Sequence, residues 1–262
     1  MQTKLHPALI AVASIIFVIL IAPLFIILGA AVSDTSYLTF PPQGFTFRWF
    51  TNIFDVTAFR TTALTSLQIA FGGTLLALLI GIPAAYALNR FRIRLPSWLS
   101  NVFVLPILVP EIVLGFSLMK SVTIGLDLPI FTTLLLGHTL LVLPYAVRVV
   151  GASLASFDFS IEEAAISLGC PPWKTFLTVV LPNIGAGVVA AFILAFITSI
   201  NDVSISLFLT GPGVSTLPIQ ILAHMEQFFD PTIASVSVLL MILTVGVMAI
   251  VEATLGLTFL TK

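Results

Sequence analysis

Ionisable chemistry is scarce in this 262-residue chain: 11 carboxylates, 10 lysines and arginines, 3 histidines and 1 cysteine. Two of the acids, Glu111 in LVPEIV and Asp202 in SINDVS, stand in otherwise apolar surroundings. An ionised side chain at bilayer depth costs roughly 3 kcal/mol on insertion scales, so such an acid is a candidate for function. Carboxylates facing a polar cavity would draw a primary ammonium out of its hydration shell and return part of that solvation. Phe116, about one turn beyond Glu111, adds a face for a cation, and Asn201 adds a polar neighbour to Asp202. With 22 phenylalanines in the chain, lipid or core packing is the ordinary role for Phe116. Other chemistry finds little support. Cys170 has no partner for an internal disulfide, and no CxxC pair or Cys/His cluster is present to hold zinc or iron. HExxH, GxSxG and a Gly-x-Gly-Asp aspartyl motif are missing, and Ser153 has no glycine two residues later. His138 has no second ligand nearby and reads as a packed, hydrogen-bonded histidine.

The elements that position these residues are set by composition. The chain is 59% hydrophobic and 8% charged, with a mean hydropathy of +1.19. A soluble domain carries about 25% charged residues, so a water-soluble globule is excluded. The net charge of -1 provides no basic field for nucleic acid. A bilayer core of about 30 Å takes roughly 20 apolar residues per helix. Runs that meet this lie at about 8–32, 62–88, 98–119, 129–147, 179–201 and 231–255, interrupted only by Glu111 and Glu252. The expectation is an all-α, polytopic membrane protein with six transmembrane helices. Gly211-Pro212-Gly213 divides 203–225 into pieces too short to span, so its first part is expected to end the fifth helix and the rest to form an external loop.

With six spans both termini share a side. Placing them in the cytoplasm puts Lys4, Arg90, Arg92, Arg94, Arg148, Lys174 and Lys262 inside and only Arg48, Arg60 and Lys120 outside, as positive residues prefer. Arg148 is expected to snorkel at the cytoplasmic end of its helix and Glu252 to reach the inner interface. The run from Ala8 to Val32 follows Lys4 and ends near Gly29-Ala30-Ala31, as a signal peptide would, yet it is much longer than a signal h-region of about 7–15 residues. A retained first helix is expected. Between the first two spans, Phe45, Phe47, Trp49 and Phe50 suit an interfacial helix or turn at the headgroups, with a stacking site for a sugar or base as the sharper alternative.

The longest stretch on the cytoplasmic side is FDFSIEEAAISLGCPPWKTFLTVVLP, Phe157 to Pro182. Helical spacing groups Phe157, Ile161, Ala164, Ala165 and Leu168 on one face, with Asp158, Glu162 and Ser167 towards another. Gly169 ends that helix, Pro171-Pro172 delays the next, and a second helix runs from Trp173 towards Leu181-Pro182. On amphipathicity alone this is a helix lying on the inner leaflet. The spacing adds more. Glu163-Ala164-Ala165, three residues, Gly169, nine residues, then Val179, Val180, Leu181 and Pro182 resembles the EAA signature of permease subunits of ATP-binding-cassette importers.

In that family the loop is a coupling helix seated in a groove of a cytoplasmic ATPase. The resemblance implies that Glu163, Ala164, Ala165, Gly169, Leu181 and Pro182 couple to the ATPase. Small alanines would permit close approach, a carboxylate would make a charge-assisted hydrogen bond, and a glycine would turn where a Cβ would obstruct. The segments Gly44 to Phe54, Leu105 to Leu118 and Ser199 to Ile221 further resemble the second, PotC-type permeases of spermidine/putrescine importers. Related permeases serve opines, 4-aminobutyrate or aminoalkylphosphonates.

The resemblance implies the type I importer permease fold in one transmembrane permease domain, 1–262, with the EAA coupling loop at 157–182. It implies a bacterial inner-membrane location, a second permease subunit in a heterodimer, two copies of the ATP-binding subunit and a periplasmic substrate-binding protein. The chain has no Gly-x-x-x-x-Gly-Lys-Ser/Thr loop, so ATP and Mg are expected on the partner ATPase and no cofactor in this chain. It is expected to be a non-catalytic translocation subunit, most simply for a polyamine. Similar polyamine permeases carry an acid at Glu111 and two successive acids where this chain has Asn201-Asp202, which suits a monocation or zwitterion equally well. The acids serve equally well as caps of broken helices or as partners to the second subunit. An ion-coupled secondary transporter would share intramembrane acids and broken helices but leaves the EAA loop unexplained.

Overall fold

The computed structural model describes residues 7–91, 96, 98, 102–103 and 105–255. Lys4, Arg92, Arg94 and Lys262 lie outside the described residues, as does the side chain of Glu252. The architecture is all-helical. Among the described residues four helices are long and apolar enough to cross a membrane: α1 (Pro7–Ala31), α3 (Thr57–Arg90), α5 (Ile130–Ala155) and α10 (Thr232–Leu255). A fifth crossing is available to α7 (Pro172–Asn183) and α8 (Gly185–Ile200), which meet at 73°. The bend falls between Pro182, which has no N–H to give, and Gly185, with Ile184 leaving the helical region at ψ 9°. Shorter helices are α2 (Arg48–Asp55), α4 (Glu111–Leu118), α6 (Phe159–Ser167) and α9 (Leu217–Gln227).

The third span is broken at its prolines: a 3-10 turn, Leu105–Leu108, precedes Pro110, α4 starts at Glu111, and a π-helical segment, Met119–Ile124, extends it. Lys120 therefore lies within the helical segment instead of beyond its end. The cause is proline, since Pro106 and Pro110 remove two donors from the ladder. The fifth helix also stops earlier than expected, at Ile200, and Val203 to Thr210 form successive turns. The Asp202 carboxylate accepts the Ile205 and Ser206 N–H groups at 3.3 and 3.0 Å, offering the backbone an alternative to helix. Gly211 and Val214 then exchange two backbone hydrogen bonds around Gly213 at φ +76°, and α9 follows where an irregular loop was expected.

The chain divides into two compact units. One comprises residues 1–60 and 220–243. Within it Ala30 and Ala31 pack against Ala234 and Val238, and the Ser235 hydroxyl donates to the Ala31 carbonyl. Asn52 on α2 donates to the Thr232 hydroxyl, and the Trp49 indole to the Ser33 carbonyl at 2.8 Å. Arg48 pairs with Asp34 and lies 4.6 Å over the Trp49 ring, while Phe45 and Phe47 stay exposed.

The other unit, 61–219 and 244–262, holds the larger core, built from α3, α5 and α8 around Ile69, Leu134, Val142, Ala146, Val150 and Ala195. Small residues permit the close approach. A Cβ on Gly81 would stand 2.8 Å from that of Ala146, so α3 and α5 touch almost backbone to backbone there. α4 is held as closely: a Cβ on Gly115 would stand 2.9 Å from the Ile205 carbonyl oxygen.

Candidate functional site

The 157–182 loop is built from a capped helix, a glycine turn and a second helix. Asp158 caps α6 by accepting from the Ser160 N–H at 2.9 Å. Ser160 donation holds the Asp158 carboxyl below the usual aspartate range. At the other end Gly169 adopts φ +91°, and the N–H groups of Gly169 and Cys170 return to the carbonyls of Ile166 and Ala165. This is a Schellman-type stop, which favours glycine because an L side chain strains in the left-handed region. Beyond the neighbouring residues in sequence, no atom lies within 4 Å of the position a Cβ would take there. Within this chain the requirement is conformational.

The apolar face of α6 points away from the rest of the chain, and the polar residues grouped opposite it do not share one setting: Asp158 and Ser167 are exposed but Glu162 is 2% exposed, while Ile161 and Ala164 face outwards and Leu168 is 89% exposed. The reason lies on α3. Tyr86 donates its hydroxyl to Glu162 Oε1, and Arg90 places Nε 3.3 Å from Glu162 Oε2 and Nη2 3.0 Å from Glu163 Oε1. Three aromatic rings enclose this centre: Tyr86 packs on Phe176 at 4.7 Å and on Phe159 at 6.4 Å, and the Arg90 guanidinium lies 5.4 Å over Phe159. A cation, a phenol and a ring wall thus make Glu162 the inward residue, and the apolar stripe is left on the outside. Tyr86 and Arg90 were not singled out for this role from sequence. Their i, i+4 spacing at the end of a span is the signal that marks them as one face.

The other residues of the expected coupling set are distributed along the same loop. Glu163 is 60% exposed, Ala164 exposed, Ala165 half-buried, Leu181 half-buried and Pro182 exposed. Trp173 and Leu177 are exposed on α7. Val180 rather than Val179 is the fully buried aliphatic. Cys170 is a half-buried free thiol.

The two acids expected at membrane depth occupy unlike settings. Glu111 opens α4, exposed, in the first turn where a helix favours negative charge. Phe116 is half-exposed and meets the Phe208 ring edge-on at 5.8 Å. Asp202 is buried and its acceptors are taken: besides the two backbone N–H groups, Oδ2 receives the Ser206 hydroxyl at 2.8 Å and lies 3.6 Å from His138 Nε2. His138 Nδ1 is 2.7 Å from Ser199 Oγ and Nε2 is 3.1 Å from Ser206 Oγ. His138, Ser199, Ser206 and Asp202 therefore form one buried network joining α5 to the end of α8. Asn201 is exposed and donates to the Ile197 carbonyl of its own helix. Arg148 is exposed on α5.

This arrangement of broken and bent apolar helices around a capped loop is that of a polytopic all-α membrane protein. Solved structures share the fold. A bacterial ABC transporter involved in the import of the acidic polysaccharide alginate superposes with a TM-score of 0.70 at 16% identity, over 94% of both chains. The methionine ABC transporter MetNI, in inward-facing form, gives 0.62 at 20% identity over 74% of this chain and 93% of that one.

Residues 77–255 match the family of binding-protein-dependent transport system inner membrane components, and the chain belongs to that family. Among curated relatives, the spermidine/putrescine transport system permease protein PotC of Escherichia coli K12 is 31% identical over 203 residues, 77% of this chain and 76% of that one. The putrescine transport system permease protein PotI of the same strain is 28% identical over 232 residues, covering 86% and 82%. A protein of Salmonella paratyphi A named for 2-aminoethylphosphonate transport, PhnV, is 31% identical over 245 residues, covering 92% and 91%.

Proposed function

We propose that this chain is the translocation subunit of an importer that carries a small organic amine inwards, driven by ATP hydrolysed on a separate subunit. It docks on that ATPase through the 157–182 loop. The observation that supports the docking is the orientation of α6: its apolar stripe, Ile161, Ala164 and Leu168, faces away from the chain while the acid behind it is paired internally. An exposed apolar stripe rimmed by polar residues marks a partner surface. The loop and both termini lie in the cytoplasm, as the distribution of arginines and lysines favours. A second permease subunit completes the pathway, and a periplasmic binding protein delivers the substrate.

In the working cycle ATP draws two such loops together and the cavity opens outwards to the binding protein. Hydrolysis then resets it inwards. ATP and Mg belong to the ATPase, and this subunit performs no chemistry of its own.

Polyamines of the spermidine/putrescine kind are the first substrate class, through the likeness to PotC and PotI. Two observations favour a second class, a singly ammonium-bearing zwitterion such as an aminoalkylphosphonate. The PhnV match reaches further along the chain, at equal identity to PotC. Asp202 is already satisfied internally, which leaves Glu111 as the acid with no side-chain partner among the described residues. One exposed acid suits one ammonium better than several.

The test is a thermal-shift screen of the cognate binding protein against polyamines, amino acids and aminophosphonates, followed by ATP-dependent uptake in proteoliposomes. Uptake driven by an ion gradient, with no ATPase co-purifying, rejects the importer mechanism. Stabilisation by aminophosphonate and not by putrescine decides for the second class.

A further inference from the structure

The two adjacent glutamates of the loop are held differently, and the difference is not one that the EAA spacing contains. Glu162 is buried, bonded by Tyr86, and contacted by Arg90 Nε without an aligned hydrogen bond, so its Oε2 is buried with no hydrogen-bond partner. Glu163 is exposed and holds Arg90 Nη2 at 3.0 Å. A single guanidinium therefore serves two carboxylates, one facing into the chain and one facing a docking partner. Guanidinium groups bind a carboxylate best through two parallel N–H bonds, and Arg90 makes neither glutamate that full pairing.

We propose that Tyr86, Arg90 and Glu162 are positioning residues that form the mechanical joint between the coupling loop and α3, and that Arg90 is handed over during coupling. When a partner takes Glu163, Arg90 is released to close its second N–H on Glu162 Oε2, the acceptor left unpaired in this structure. The joint then tightens when the loop is engaged, and movement of the loop is carried to α3 through a pair whose carboxylate is buried, instead of through flexible backbone. Phe159 and Phe176 pack on Tyr86, and Phe159 also lies under the Arg90 guanidinium, which covers the Glu162 side of the pair. Glu163 thus serves docking and Glu162 serves transmission. This rests on the loop being the ATPase-docking element.

The experiment is made on the whole transporter, with its ATPase, second permease and binding protein, in proteoliposomes, reading substrate imported per ATP hydrolysed alongside co-purification of the ATPase. Glu162→Gln and Arg90→Met are expected to keep the ATPase bound while import per ATP falls about tenfold, the scale of one charge-assisted hydrogen bond. The double variant is expected to fall no further than either single one, because the two residues act as one pair. Tyr86→Phe, which removes a hydroxyl bonded to that carboxylate, is expected to lower the ratio by about the same tenfold, and it decides the matter if the buried substitutions do not fold. An unchanged ratio in Glu162→Gln and Tyr86→Phe overturns the joint while leaving the docking loop in place. Loss of the ATPase from Glu162→Gln overturns the division of labour between the two glutamates. If the unmodified chain recruits no ATPase, the docking reading itself fails.

Discussion

Two buried acids organise this protein, and they are buried in opposite ways. Asp202 is enclosed by groups close to it in the fold: two backbone N–H groups, the Ser206 hydroxyl and, further off, the His138 ring. Glu162 is enclosed by a phenol 76 residues away in sequence and a guanidinium of the same helix, and one of its oxygens has no hydrogen-bond partner. The first acid is satisfied within its own turn and closes a network between α8 and α5. The second is satisfied only by a distant element and leaves capacity unused. A fully occupied carboxylate stabilises one geometry, whereas a partly occupied one beside an exposed twin can change partners. Depth in the membrane alone therefore does not make an acid a substrate contact; the occupation of its acceptors has to be counted as well.

The contrast can be broken most directly at Asp202. Asp202→Ala strands His138, Ser206 and two backbone donors, and is expected to lower unfolding stability in detergent by about 3 kcal/mol. Asp202→Asn, which keeps one acceptor, should lose less. An alanine variant that unfolds like the parent but no longer transports would move Asp202 into the substrate path and erase the difference drawn here.

Next in size is Gly169. Replacement by alanine forces an L side chain into φ +91° and is expected to cost about 1–2 kcal/mol in the conformation of the loop. The open space around that position means that Gly169→Trp should unfold no earlier than the alanine variant, yet should lose the co-purifying ATPase. Retention of both the ATPase and uptake in the tryptophan variant would sink the docking role of this turn.

Glu111 sharpens the comparison from the other side. Exposed and without a side-chain partner among the described residues, it is expected to tolerate Glu111→Gln with no change in melting temperature, while KM for uptake rises about tenfold, or 1.4 kcal/mol. Unchanged uptake kinetics would remove it from the path.

The smallest effect concerns Asp158. Its carboxyl is held below the ordinary range by Ser160, so the cap contributes fully above the unfolded aspartate value and is lost as pH falls through the lowered folded value. Asp158→Asn should keep the cap and abolish that acid-side dependence of loop stability. Proteolysis of the loop across pH 2 to 6, about the range where aspartates titrate, would show the two profiles coinciding only at higher pH.

The apolar helices were legible in the chain because transfer to hydrocarbon is a sum over neighbouring residues. The runs at 8–32, 62–88, 129–147 and 231–255 became α1, α3, α5 and α10 with modest changes at their ends. The spacing from Glu163 through Gly169 to Pro182 likewise announced a helix, a stop and a second helix, since capping and glycine geometry are local. Where expectation failed, the missing information was a partner. Hydropathy grouped Ile161 and Leu168 on one face and Glu162 on another without saying what each face meets; Tyr86 and Arg90 bury Glu162, and nothing in the sequence around Glu162 names them. The fifth helix was carried past Ile200 because Val203 to Leu209 are apolar enough to continue it, but a side chain claimed the backbone donors.

Run length, charge asymmetry and turn chemistry therefore belong to the chain alone, and they suffice for an all-α polytopic membrane protein. Which face of α6 is exposed, and whether the acceptors of Glu111 and Asp202 are free or occupied, were decided by the packed structure. The physical reason is that burial of apolar surface is additive along a segment, while satisfaction of a buried charge is a property of a pair, and here the pair is made across 76 residues.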